Sequence, residues 1–296
     1  MFNKISKFRE IAIMYSRICN IECAHCGIES SPRIKEIMGL PEARRIILEA
    51  ATIENLAKIT FTGGEPFLFP DEMEDMVRLC NSLNLDTRIV TNGFWAKHFD
   101  KGLALLSNMK EAGLSEVNFS ADRFHLDFLP AATLINALEC ARRLGFPRIV
   151  SFINNGAKDP LDDFSELYKI PRSSLFDLRL AINDEKLISE LKDDYIFIYY
   201  GGLIGLGRAS RSIPSLRYYS MDYFGENRPC SEIINKPVIY PDGSFQACCS
   251  AGGRIEAFTV GKVHKASLAK LCEKMAQTPH LRAIGALGPK VLWGQV

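Results

Sequence analysis

The chain has 296 residues, 47% hydrophobic and 24% charged, with 36 Lys and Arg against 35 Asp and Glu. This is an ordinary globular composition, and a near-neutral balance without a basic run argues against nucleic-acid or membrane-surface partners. No apolar stretch of roughly 18 residues marks a membrane span and no secretory signal opens the chain, so a cytoplasmic protein with reduced thiols is expected.

Residues 10–18, EIAIMYSRI, read as a strand running into a cysteine-rich loop. A helix is expected over 41–57, with Pro41 in its first turn, and a strand over 58–64 ending at glycines. A helix over 70–84 follows, with Asp71 as N-cap, then a strand over 87–93 ending in Asn-Gly. Helices at 101–113, 131–145 and 161–170 alternate with strands at 115–122, 148–155 and 175–181, and 195–202 reads as one further strand. Gly113 suits a helix C-terminal stop. Such alternation points to βαβ units on a parallel sheet. About six units fit before residue 212, so the expected architecture is a partial (β/α)6 TIM-like barrel, open on one side. In parallel barrels reactive groups collect at the C-terminal strand ends. The cysteine loop, 63–65, Asn92 and 120–122 all lie where a strand gives out.

After 212 the pattern changes. Two short strand-like runs flank Pro241-Asp242-Gly243, a hairpin signal, and an amphipathic helix follows over 266–276. We therefore expect domains at 1–212 and 213–296, the second small and α+β.

Of nine cysteines, Cys19, Cys23 and Cys26 fall within eight positions. Three thiolates are awkward for disulfides and for a closed zinc site, which takes four ligands. His25 is the one neighbouring candidate for a fourth zinc ligand, and it sits between the wrong residues to fold back easily. A 4Fe-4S cluster on three cysteines instead leaves one iron open for a substrate or cofactor. Cys80 and Cys140 lie within helical patterns and are expected as core thiols.

Cys-x3-Cys-x2-Cys after the first strand resembles the cluster loop of the radical S-adenosylmethionine (SAM) enzymes. TGGEPFLFP (62–70) resembles the Gly-Gly-Glu-Pro segment that in this family holds the SAM amino group, and His25 stands where the family usually has a planar residue. The resemblance covers about 8–210, and the family's fold is the barrel described above. It implies a cluster on Cys19, Cys23 and Cys26 whose open iron chelates SAM. Reductive cleavage then yields methionine and a 5′-deoxyadenosyl radical that removes a substrate hydrogen. A flavodoxin or ferredoxin would supply the electron. The resemblance places Gly63, Gly64, Glu65 and Pro66 at the SAM amino group, and Ser120 and Asp122 at ribose or carboxylate. Arg208, in GLGRA, would pair with the carboxylate, and Asn92 is a further candidate contact. For Asn92 and Asp122, turn or cap chemistry is the competing role.

Cys230, Gly243 and Cys248 are spaced like the start of the SPASM or shorter twitch extension, which carries an auxiliary 4Fe-4S cluster; Cys230 and Cys248 are the candidate ligands. The later SPASM cysteines do not follow. The auxiliary cluster is therefore incompletely held, or takes Cys272 from the helix, or the chain is truncated at its C-terminus. Cys249 follows Cys248 on an expected strand and would face away from such a cluster. It is either a hydrogen-atom donor, as in the radical SAM peptide epimerases that this chain resembles at TNGFWAKHF, SADRFH and the Cys-Cys pair, or a structural thiol or alternative ligand. Three functions follow: epimerisation of L- to D-residues in a ribosomally made peptide, thioether or carbon–carbon cross-linking of a peptide, or a non-catalytic metal-binding partner role.

Overall fold

The structure is a computed structural model that describes residues 9–154, 159–181, 184–203, 205–213, 229–230, 232–248 and 255–288. Cys249 and the end of the chain from 289 lie outside these residues.

Strand β1 (Glu10–Ser16) is followed by α1 (Leu40–Ala50), β2 (Lys58–Gly63), α2 (Pro70–Ser82), β3 (Asp86–Thr91), α3 (Phe99–Ala112) and β4 (Glu116–Ser120). Next come α4 (Arg123–Leu126), α5 (Ala131–Arg143), β5 (Arg148–Asn154), α6 (Pro160–Tyr168), β6 (Leu175–Asp177), α7 (Glu185–Leu191), β7 (Ile196–Gly202) and α8 (Ala209–Ser212). The strands from β1 to β5 pair in parallel in sequence order, and β7 then inserts between β5 and β6. With β6 at one edge and β10 (Thr259–Lys262) at the other, the sheet of the described residues does not close. This is the open, partial barrel that the βα alternation predicts.

Alternation along each strand sorts the side chains. Odd-numbered Ile11, Ile13, Ile59, Phe61, Ile89, Val117 and Phe119 are fully buried against the helices. There they meet Ile46 and Ile47 of α1, Met76 of α2 and Met109 of α3 in one core cluster. Each such side chain contributes about 2 kcal/mol by leaving water. The even-numbered residues face the barrel interior, and many are polar. Arg88 reaches Glu10 at 2.8 Å and Glu116 at 2.8 Å, and Lys58 reaches Glu116 at 3.0 Å. This layer ties the N-terminal ends of β1 to β4. Although burial opposes ionisation of Glu116, Arg88 and Lys58 outweigh it and hold its carboxyl below the usual range.

Replacing Arg88 by Met is expected to cost about 2–3 kcal/mol at neutral pH. That is less than the roughly 3–5 kcal/mol of a fully buried broken pair, because these side chains keep 14–21% exposure. The pH sign follows from the depressed carboxyl: its contribution is complete above the unfolded carboxylate range and fades as pH falls through the folded pKa. Urea melts should therefore show the gap between the variant and the parent narrowing below about pH 4. A gap independent of pH would refute the ion-pair account.

Helix boundaries shift for local reasons. The helix expected over 41–57 ends at Ala50, and the chain turns through Asn55 at φ +66°. Asp71 is not the cap of α2: Pro70, with its preset φ, opens the helix and Asp71 sits inside the first turn. Gly113 closes α3 at φ +106°, as expected. The last helical stretch divides at Pro279 into α9 (Leu268–Gln277) and α10 (Pro279–Leu287).

The hairpin is present. β8 (Val238–Ile239) and β9 (Ser244–Gln246) pair antiparallel, and Gly243 takes φ +78° in the turn. Rather than forming a sheet of its own, it extends the barrel sheet, with β8 parallel to β1 at Ala12–Val238 and Ile13–Ile239. α9 buries Leu268, Leu271, Cys272 and Met275.

Candidate functional site

The C-terminal ends of β1 to β5 surround a cavity of about 250 Å³. Cys19, Cys23 and Cys26 line it together with Gly63, Gly64, Asn92, Ser120 and Asp122. A larger cavity, about 520 Å³, opens at the other end of the strands around Lys58, Arg88 and Glu116. There Lys58 and Arg88 pair with Glu116, and Lys236 with Glu232, whereas the smaller cavity holds the cysteine triplet.

The cysteine loop is held by backbone contacts. Gly64 N–H donates to Ser16 O at 2.8 Å and Glu65 N–H to Ile18 O at 2.8 Å, so the glycine turn lies flat against the root of the loop. A Cβ on Gly64 would stand 1.8 Å from Ile18 O. On the other side Arg208 clamps the loop, donating to Cys23 O at 2.7 Å and Ser30 O at 2.7 Å while its own N–H donates to Cys26 O at 3.0 Å. The guanidinium thus meets the loop's carbonyls, a role that the expected pairing with a bound carboxylate did not include. The adjacent Gly207, at φ +58°, lets the segment approach Gly27.

Glu65 is 1% exposed and turned behind the cavity. Its carboxylate accepts from Phe67 N at 3.0 Å, Thr91 Oγ1 at 2.8 Å and Asn92 N at 2.8 Å, joining the β2 and β3 turns. Burial raises its pKa to about 7 against these three donors. Pro66 begins the short turn of helix that Glu65 caps. Asn92 takes the turn role: its Oδ1 caps the turn at Phe94 N, while its Nδ2 reaches Asn20 Oδ1 at 2.9 Å and Cys19 Sγ at 3.9 Å.

Asp122 caps α4, accepting from Phe124 N at 2.9 Å and His125 N at 3.2 Å. The same carboxylate is 2.9 Å from His125 Nδ1 and 3.4 Å from His25 Nε2. Burial disfavours a charge on His125, but Asp122 and the Cys23 sulfur outweigh it and raise the pKa to about 10. Burial lowers His25 to about 4, with His125 and Arg208 adding to the effect and Asp122 opposing it. His125 was not singled out from the sequence. The available signal was its place three residues after a helix-capping Asp, a spacing that brings the two side chains together on one helix face.

The donor chemistry fits an iron–sulfur cluster. Around one zinc ion, thiolates lie about 4 Å apart. Among the described residues, the set of three metal-capable side chains whose ligand atoms all converge within 4.8 Å is His25, Asp122 and His125. The three thiols line one cavity together. His25 stacks on Phe124 at 4.8 Å and turns toward Asp122, away from a fourth-ligand position. Burial pushes the Cys19 thiol up to about 12, with Glu65 and the other two thiols adding, so a bound cation must displace its proton.

Residues 13–170, more than half of the chain, match the Radical SAM superfamily. The chain belongs to the radical SAM superfamily. SAM and a 4Fe-4S cluster are the cofactors of that family. The chain is 27% identical over 282 residues to YydG of Bacillus subtilis (strain 168), which is named as a peptide biosynthesis protein, covering 93% of this chain and 78% of YydG. Among solved structures it resembles Streptococcus suis SuiB bound to the precursor peptide SuiA, at TM-score 0.50 and 17% identity over 94% of this chain and 67% of SuiB. It also resembles BtrN in complex with AdoMet, at TM-score 0.52 and 13% identity over 96% of this chain and 89% of BtrN. At such identities these two share the radical SAM fold.

Within the hairpin segment, Cys248 is buried at the end of the described stretch, and Cys230 is half-buried with its N–H donating to Ile284 O. Cys272 lies on the inner face of α9 in the main core, and Cys80 and Cys140 are fully buried core thiols. No helix of the described residues is long and apolar enough to cross a membrane.

Proposed function

We propose that this radical SAM enzyme is a peptide maturase that converts L- to D-residues in a ribosomally made peptide. The observation that carries the peptide reading is the likeness to YydG along 93% of the chain. The fold shared with SuiB, solved with a precursor peptide, supports it. The Cys248-Cys249 pair after the hairpin carries the choice of epimerisation.

A cluster with bound SAM supplies a hydrogen-atom abstractor at the cavity. Cys19, Cys23 and Cys26 are assigned to hold the cluster. The backbone of Gly63 to Glu65, with Pro66 fixing its exit, faces the amino group of SAM, and Glu65 keeps that turn in register with Asn92. Ser120 and Asp122 face the ribose or carboxylate from the end of β4. Arg208 holds the cysteine loop closed over this site. Cys249 gives its thiol hydrogen to the peptide Cα from the face opposite abstraction, leaving a sulfur radical. One electron and one proton, from a flavodoxin- or ferredoxin-type donor and solvent, restore the thiol. The segment from 213 onward acts as a twitch-like extension, with Cys230 and Cys248 as ligands of an auxiliary cluster.

The test is anaerobic turnover in D2O with a peptide encoded beside the gene. A D-residue carrying one deuterium at Cα is expected. A product lighter by two hydrogens would establish cross-linking instead. Cys249→Ala should still cleave SAM while forming less than about a hundredth of the D-product, a loss of the size typical for a proton- or hydrogen-transfer group. Unchanged epimerisation by that variant would remove Cys249 from the reaction.

A further inference from the structure

The turn that follows the cysteine triplet leaves one buried side chain unanswered. Glu29 takes φ +58° and its N–H donates to Cys26 O at 3.2 Å, so the chain doubles back on Cys26. Ser30 N–H then donates to Cys26 Sγ at 3.4 Å. The Ser30 carbonyl accepts from the Arg208 guanidinium at 2.7 Å, and Arg208 N–H donates to Cys26 O at 3.0 Å, so both ends of the turn are fixed. The Ser30 side chain stands apart from this order. The residue is 4% exposed and lines the cavity with Cys26, yet its Oγ has no hydrogen-bond partner among the described residues. Buried polar groups are nearly always paired, and each exception calls for a reason. A serine hydroxyl carries a proton to donate and rotates to suit its acceptor. The sulfurs of a cluster, thiolate or sulfide, are acceptors without protons of their own. The other orphaned atom on this cavity, His25 Nδ1, belongs to a ring whose Nε2 is already turned to Asp122.

We propose that Ser30 donates two hydrogen bonds to cluster sulfur, its backbone N–H to Cys26 and its hydroxyl to a sulfur beside it, and thereby raises the reduction potential of the cluster. Hydrogen bonds to cluster sulfurs draw negative charge off the irons and stabilise the reduced state. A more easily reduced cluster accepts its electron from a weaker donor. The backbone bond survives replacement of the side chain, so the hydroxyl is the part that a variant removes.

The inference rests on Cys19, Cys23 and Cys26 being the cluster ligands, and it does not depend on which product the enzyme makes. The full chain is loaded with iron and sulfide, without SAM, and titrated electrochemically. The signal followed is the reduced-cluster resonance that is absent from the Cys19/Cys23/Cys26→Ala variant. At the midpoint of the parent, Ser30→Ala should hold about tenfold less reduced relative to oxidised cluster, a shift of about 59 mV for one electron. Ser30→Thr keeps the hydroxyl and should recover at least half of that shift. An equal shift in both variants overturns the proposal, because a disturbed turn would then explain it. A parent-like midpoint in Ser30→Ala also overturns it, and weaker SAM binding by that variant would give the hydroxyl to SAM instead. If Ser30→Ala fails to hold iron, Ser30→Gly, which lacks the same hydroxyl, is read in its place. A lowered midpoint there supports the proposal, and an unchanged midpoint or a lost cluster overturns it. A parent protein that binds no iron refutes the ligand assignment itself, an outcome distinct from an unmoved potential.

Discussion

Replacing Cys19, Cys23 and Cys26 together by Ala is expected to remove about four irons per chain and to abolish SAM cleavage under strong reductant. The three thiols line one cavity at the ends of the parallel strands, with no fourth cysteine among the described residues that line it. Each is needed, because alanine leaves an iron without its ligand and the loop without compensation for its buried thiols. Single substitutions should therefore fall close to the triple one rather than each costing a third. Iron and sulfide analysis together with detection of 5′-deoxyadenosine reads the result. Retention of full iron with undiminished SAM cleavage would refute the assignment, and zinc in place of iron in the parent protein would replace it. The same measurement tests the extension. If the triple variant keeps a second set of about four irons, and loses it when Cys230 and Cys248 are also replaced, the auxiliary cluster is real.

The second large effect lies one turn away. Gly64→Ala is expected to destabilise the protein by more than about 4 kcal/mol, beyond the range of ordinary substitutions, or to yield a chain that does not retain iron. An added Cβ would meet Ile18 O at 1.8 Å, Ile18 C at 2.4 Å and Arg17 C at 2.9 Å. All three are backbone atoms, so no rotamer change relieves them. Relief requires the cysteine loop to move off the glycine turn, and that breaks the bonds from Gly64 N to Ser16 O and from Glu65 N to Ile18 O. Gly285 in α10 is the control. Its added Cβ would come no closer than 3.6 Å to Ile233, so Gly285→Ala should be neutral or stabilise the helix by up to about 1 kcal/mol. Thermal melts and iron content of both variants decide the matter. A Gly64→Ala protein with parent-like melting and iron would mean that the close approach is not needed.

Much of this site is written locally. The cysteine triplet, the Gly-Gly-Glu-Pro turn and the polar residues at 120–122 are each a few neighbouring residues whose spacing carries their meaning. A period of two on the strands and about 3.6 on the helices then places them at the C-terminal ends of a parallel sheet. The Pro-Asp-Gly hairpin is legible for the same reason, since its turn conformation is encoded within three residues.

Other features depend on residues far apart. Arg208 clamps a loop 185 residues earlier in the chain at Cys23. The Glu65 carboxylate is held by Thr91 and Asn92, whose strand register comes from sheet pairing. The hairpin after 213 joins the barrel sheet, with β8 pairing with β1 across more than 220 positions. Asp122 shows the limit most clearly: its bond to His125 follows from a three-residue spacing, but its approach to His25 at 3.4 Å exists only because the end of β4 and the cysteine loop meet at one end of the barrel. By itself the sequence determined the family, the barrel and the residues that face its mouth, because local periodicity and short motifs carry that information. Only the tertiary structure decided what those residues touch, because side-chain partners are chosen by strand order and close packing between segments that no local pattern relates.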